Sequence, residues 1–150
     1  MAKFDHIRRR YKKFLALDEK KVLTEVLADK FLHAEMVDLN QAQLYEKGLQ
    51  ADGTPTGDYA DITVAYYKPL AESEGRDGRS DHITGKDTGE TYRSMHVEAK
   101  PEGIVISADD RNDFFLRIDK GLGLTKESKK EILPAIREMV VDKLRAALKG

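Results

Sequence analysis

The first 47 residues contain neither proline nor glycine. A stretch of that length without either breaker constrains the fold most, because proline and glycine are the residues that interior helix turns tolerate least. Apolar side chains recur there at three- and four-residue intervals, Ile7, Tyr11, Phe14 and Leu15, then Leu23, Leu27, Phe31 and Ala34. That spacing predicts helix over residues 5–48, as one broken helix or two consecutive ones. Asp18, with Lys21, offers a cap for the second. The first has a basic outer face.

Charge divides the chain. The 26 bases and 27 acids nearly cancel, which argues against a general nucleic-acid binder or a membrane-surface protein. Residues 1–14 nevertheless carry six bases against Asp5 alone, and the stretch from Lys126 onward seven bases against four acids, so the middle is acidic. The ordinary meaning of a basic run such as Arg8, Arg9 and Arg10 is a solvated helix face; the functional alternative is contact with DNA or with an acidic partner. There is no cysteine, so neither disulfides nor thiolate metal sites arise, and no apolar run approaches the roughly 18 to 20 residues of a membrane span. Without a signal peptide, the expectation is a soluble protein made in the cytoplasm, with no membrane partner.

A single domain is expected over residues 1–150, with residues 1–17 as a basic helical arm. After Gly48, Asp52-Gly53, Pro55 and Gly57 supply turn chemistry. Residues 62–67, "ITVAYY", suit a strand by composition and equally the start of a helix. Residues 71–87, with three glycines and a dense run of charge, read as a flexible loop unless a partner holds it. "TYRSMHVEA" and "GIVISA" flank Lys100-Pro101-Glu102-Gly103, a type I turn signal, and predict a β-hairpin. Thr125 or Ser128 offers an N-cap for a helix with Ile132, Ile136, Met139, Val140, Leu144 and Leu148 on one face, kinked or restarted at Pro134. The fold class is therefore α+β: N-terminal helices and a C-terminal helix packed on a small, mostly antiparallel sheet.

Asp87-Thr88-Gly89 is the triplet that carries the carboxylate of aspartic proteases. A shared-proton dyad needs that loop between apolar strands, whereas here Lys86 precedes it and Glu90 follows. Other chemistry fails by spacing. Gly85-Lys86 is followed by Asp87 and preceded at position 80 by Ser, which breaks the P-loop pattern. "DDRNDFFLRIDKG" lacks the EF-hand glycine and third ligand. His6, His33, His82 and His96 lack metal-ligand spacing. No cofactor and no metal are expected, and no catalytic residue. The remaining role for Asp87, Thr88 and Gly89 is structural: side-chain oxygens accepting free backbone N–H bonds, Gly89 at positive φ, and Tyr92 and Met95 falling on the buried side of the next element.

Three segments in order resemble the phage virion morphogenesis proteins, also called tail-completion or neck proteins. Asp52-Gly53-Thr54-Pro55 with Tyr59, Thr63 and Lys68 is similar to one motif of that family. Asp87-Thr88-Gly89 with Tyr92, Arg93 and Ser94 is similar to the second, and "GLGLTKESKKEI", Gly121 to Ile132, to the third. The resemblance covers about residues 40–145; the basic extension and the charged loop depart from it. It implies a non-enzymatic head-to-tail connector in the virion of a tailed bacteriophage, synthesised in the host bacterial cytoplasm. Such a subunit forms a homo-oligomeric ring, sixfold or twelvefold, against portal or adaptor and tail proteins, with genomic DNA passing transiently. An acidic middle suits such a conduit, because negative walls repel phosphates. Arg8, Arg9, Arg10, Arg76, Arg79 and Asp81 are the expected inter-subunit contacts. The alternatives are a small DNA-binding or packaging accessory protein using the basic arm and, third, a dimeric aspartic protease at Asp87.

Overall fold

The computed structural model describes residues 2–100, 103–109 and 120–149. The N-terminal region is three helices: α1 (Ala2–Leu15), α2 (Glu19–Leu27) and α3 (Lys30–Tyr45). The first break is at Asp18, whose carboxylate accepts from Lys21 N–H at 3.2 Å, as the sequence suggests. The second is at Asp29, which caps α3 by accepting from the N–H groups of Phe31 (2.9 Å) and Leu32 (3.2 Å). That second break resets the helical phase. The series ending in Phe31 and Ala34 therefore does not form one buried face: Phe31 is 85% exposed, while Val26, Leu32, Met36 and Leu44 are buried.

Residues 62–67 are not a strand. A π-helical turn, Thr63–Tyr67, runs directly into α4 (Lys68–Ser73); Pro69, which has no N–H to donate, follows at once on the i→i+5 bond from Lys68 N–H to the Thr63 carbonyl. Part of the expected hairpin is helix too. Glu90–Ser94 forms α5, and only then do β1 (His96–Lys100) and β2 (Gly103–Ser107) pair antiparallel, Val97 opposite Ile106 and Ala99 opposite Ile104. Pro101 and Glu102, the centre of the expected turn, lie outside the described residues, as does most of the EF-hand-like stretch.

The last helix, α6 (Lys126–Lys149), starts at Thr125, whose Oγ1 accepts from Ser128 N–H at 3.2 Å. It does not restart at Pro134 but continues as one element. α6 packs against α2 and α3, and α3 against β1. The main core is Val26, Leu32, Met36, Ile106, Leu124 and Ile132, with Ile136, Met139 and Val140 of α6 against it. Each such side chain contributes about 1.5–3 kcal/mol by leaving water. A second cluster, Leu44, Tyr92 and Met95, joins α3 to α5. The fold is α+β, with a two-stranded sheet flanked by N-terminal helices and a C-terminal helix. No helix among the described residues is long and apolar enough to cross a membrane.

Candidate functional site

Beyond α4 the chain turns back as a polar loop around Asp77. Its carboxylate accepts from Tyr45 O–H (3.1 Å), Thr84 O–H (3.0 Å) and Lys68 Nζ (3.4 Å), and its backbone N–H donates to the Asp87 carbonyl at 3.0 Å. The Lys68 and Asp77 side chains are only 10% and 5% exposed. Lys68 also lies 4.4 Å from the centre of the Tyr59 ring. Thr84 is fully buried; its N–H donates to Tyr59 Oη (3.2 Å) and its carbonyl accepts from Tyr92 O–H (2.6 Å). Burial pushes the Tyr92 phenol well above its ordinary pKa, so it stays a donor.

This corrects the expectation of a loop that only a partner orders. Residues 71–87 bury little apolar surface, but Asp77 collects enough hydrogen bonds to fold them onto α3 and α4. A cation above an aromatic face assists: Arg79 lies 5.0 Å and Lys86 4.5 Å from the centre of the Tyr45 ring. His82 closes the end of α3, its Nε2 2.9 Å from the Tyr45 carbonyl.

The triplet sits at the rim of this hub. Among the described residues Asp87 accepts no backbone N–H; it is half-exposed and accepts from Arg76 Nη1 at 2.6 Å. Thr88 Oγ1 receives Glu90 N–H only at 3.4 Å. Gly89 has φ +84° and stands at the N-cap of α5, and Tyr92 and Met95 are buried beyond it. Ser94 accepts from Asp109 N–H at 2.9 Å and donates to the Thr91 carbonyl at 2.7 Å, tying α5 to the chain leaving β2. Gly89 has the positive φ, and Tyr92 and Met95 the burial, that the sequence suggests, whereas Asp87 pairs with an arginine instead of the backbone N–H expected of it. Asp87 lies between a polar loop and a helix, not between the apolar strands that a shared-proton dyad requires.

Among the expected contact residues, Arg76 pairs with Glu74 and Asp87, and Arg79 with Asp81 and Glu46. The Arg79 guanidinium holds the Asp81 carboxyl down to about 2. These three therefore brace the loop within the chain. Arg8, Arg9 and Arg10 are exposed on α1 and do not join the hub.

Sequence reasoning missed a second polar hub, on α3. Asn40 and Gln43 are buried there. Asn40 Nδ2 donates to the Gly121 carbonyl (3.0 Å) and its Oδ1 accepts from Gly123 N–H (3.1 Å). Gln43 donates to the Gly123 carbonyl (3.1 Å) and accepts from Thr125 N–H (2.8 Å). Two amides thus carry the bend that launches α6. The only available signal was two amides spaced three apart on an otherwise apolar helix face, one turn of the same stripe. Asp52 reinforces the bend from outside, receiving Lys120 Nζ at 2.9 Å; the Thr54 hydroxyl, then Lys120, hold its carboxyl well below the usual range.

The remaining distinctive surfaces are apolar. Ile7, Tyr11, Phe14 and Leu15 on α1, and Ile62, Val64, Tyr66, Tyr67 and Leu70 on the π-turn and α4, are exposed, as are Leu23 and Phe31. Tyr66 and Tyr67 meet edge to face, ring centres 5.4 Å apart. Comparison with family models, curated proteins and solved structures finds no match to this chain.

Proposed function

We propose that this chain is a structural subunit that functions only in assembly: a non-enzymatic head-to-tail connector, or tail-completion protein, in the neck of a tailed-phage virion. The observation that carries the reading is the set of uncovered large apolar side chains on separate elements, α1, the α2–α3 corner and the π-turn. Exposed large apolar side chains grouped along one element, as on α1 and again from Ile62 to Leu70, mark an interaction site. The resemblance supplies the particular assembly, a homo-oligomeric ring, sixfold or twelvefold, between portal or adaptor and tail proteins. Its three motif segments are also neighbours in space. Lys68 and Tyr59 meet the loop before Asp87, Tyr92 reaches that loop from α5, and Asp52 reaches Lys120 at the bend into α6.

Negative-stain images and native mass spectra of the purified chain test this. Closed rings of one copy number are the expected result. A monomer at every concentration, alone and with a portal ring added, would remove the reading.

A second reading rests on Arg8, Arg9, Arg10, Lys12 and Lys13, which have no ion-pair partner among the described residues. On that reading the arm binds DNA. An electrophoretic shift that falls steeply with salt and disappears in an Arg8→Ala, Arg9→Ala, Arg10→Ala variant would favour it over the connector.

A further inference from the structure

α1 touches its own chain along α6, yet that contact covers none of its described side chains. Every described side chain from Asp5 to Ala16 is exposed. Ile7, Tyr11, Phe14 and Leu15 recur at i, i+4, i+7 and i+8, one helix face, and each is 53–65% exposed. Arg8 and Arg10 flank that stripe, and Arg9, Lys12 and Lys13 lie on the opposite face. A helix so marked is built to lay its stripe into an apolar surface with acids at the margin.

The chain offers such a surface elsewhere. Ile62, just before the π-turn, and Tyr66 and Tyr67 on it are 57–63% exposed, and Val64 and Leu70 extend the patch. A π-turn is itself a costly deviation found mostly where function requires it. Asp58 and Asp61 lie just before the patch; both are exposed, and neither has an ion-pair partner among the described residues. The arm is thus apolar and basic, and the patch apolar and acidic.

We infer that the α1 arm of one copy docks on the 62–70 face of a second copy. Ile7, Tyr11, Phe14 and Leu15 cover Ile62, Tyr66 and Tyr67, and Arg8 and Arg10 at the edges of the stripe meet Asp58 and Asp61. Charge complementarity selects this occupant: DNA would satisfy the bases but leave the stripe in water, and another α1 would bring like charges together. The two surfaces are different, so the contact is heterologous. Any open assembly keeps one arm free at one end and one patch free at the other, and growth stops only when rotation closes a ring. The inference deepens the assembly reading above and rests on it.

The test uses full-length protein and two variants with substitutions at exposed positions only. One carries Tyr11→Glu and Phe14→Glu on the arm; the other carries Ile62→Glu and Tyr66→Glu on the patch. Circular dichroism checks that both keep the wild-type fold, and sedimentation velocity and native mass spectrometry read assembly. The expected result is that each variant alone stays monomeric at about tenfold the concentration at which the wild type assembles. An equimolar mixture then gives a 1:1 heterodimer and nothing larger, since it holds one working arm and one working patch. If either variant alone assembles like the wild type, the inference falls and the ring reading stands. If both are monomeric and their mixture is too, these two faces are not partners. A wild type that never self-associates overturns the inference and the ring together.

Discussion

Two glycines show how much one missing side chain can matter here. Gly48 ends α3 at φ +59°, and a Cβ there would lie 2.7 Å from the His82 ring, which is held by the carbonyls of Leu44 and Tyr45. Gly89 has φ +84°, but its nearest neighbour is the tip of Arg93, 3.0 Å away, which can swing aside. Gly48→Ala should therefore lose more stability than Gly89→Ala, with backbone strain alone costing about 1–3 kcal/mol at either site; urea unfolding of both variants gives the order. Asp81 offers a titration test. Its folded-state pKa of about 2 lies below the ordinary aspartate value of roughly 3.9, so its stabilising contribution is present above that ordinary value and is lost as pH falls toward 2. Arg79→Gln should return the carboxyl toward its ordinary titration, visible in the side-chain carboxyl carbon shift by NMR.

Among the elements, the loop after α4 depends on one carboxylate. Asp77→Ala would leave Lys68 buried without its counter-ion and free Tyr45 and Thr84 of their acceptor, costing about 3–5 kcal/mol. Lys68→Met should cost less, because Asp77 keeps both hydroxyl donors; paired denaturation curves read the asymmetry. Gln43→Ala should cost about 1–3 kcal/mol by leaving Thr125 N–H buried and unpaired. These are also the places where the sequence was least legible. The α6 face, the Asp18 and Thr125 caps and the paired strands could be read because periodicity and capping are local. The Ala28–Asp29 break could not, since Asp29 sits in an unbroken apolar series and signals only by its carboxylate. Asp77 lies among so many charges that composition suggested disorder, and the bonds that decide otherwise come from α3, α4 and Thr84. Arg76 and Arg79 looked like surface contacts for the same reason: beside the nearby Glu74 and Asp81, folding supplies each a distant carboxylate, Asp87 and Glu46.

For the whole molecule, the exposed apolar side chains on α1 and the π-turn make a testable statement about salt. If arm and patch meet as inferred, raising ionic strength should slow association, because screening removes steering between distant charges, while changing the lifetime of the formed contact far less; stopped-flow mixing of the two variants measures both. The α3 amides have a different consequence, in time. Gln43 waits for Thr125, 82 residues later, and Asn40 for Gly123, 83 residues later. At the usual pace of roughly 5 to 20 residues per second, the ribosome takes on the order of 4 to 16 seconds to deliver them. Until then the groove that α6 will fill stands open in the nascent chain, so any fragment stopping short of Gly121 should be a substrate for chaperones and proteases.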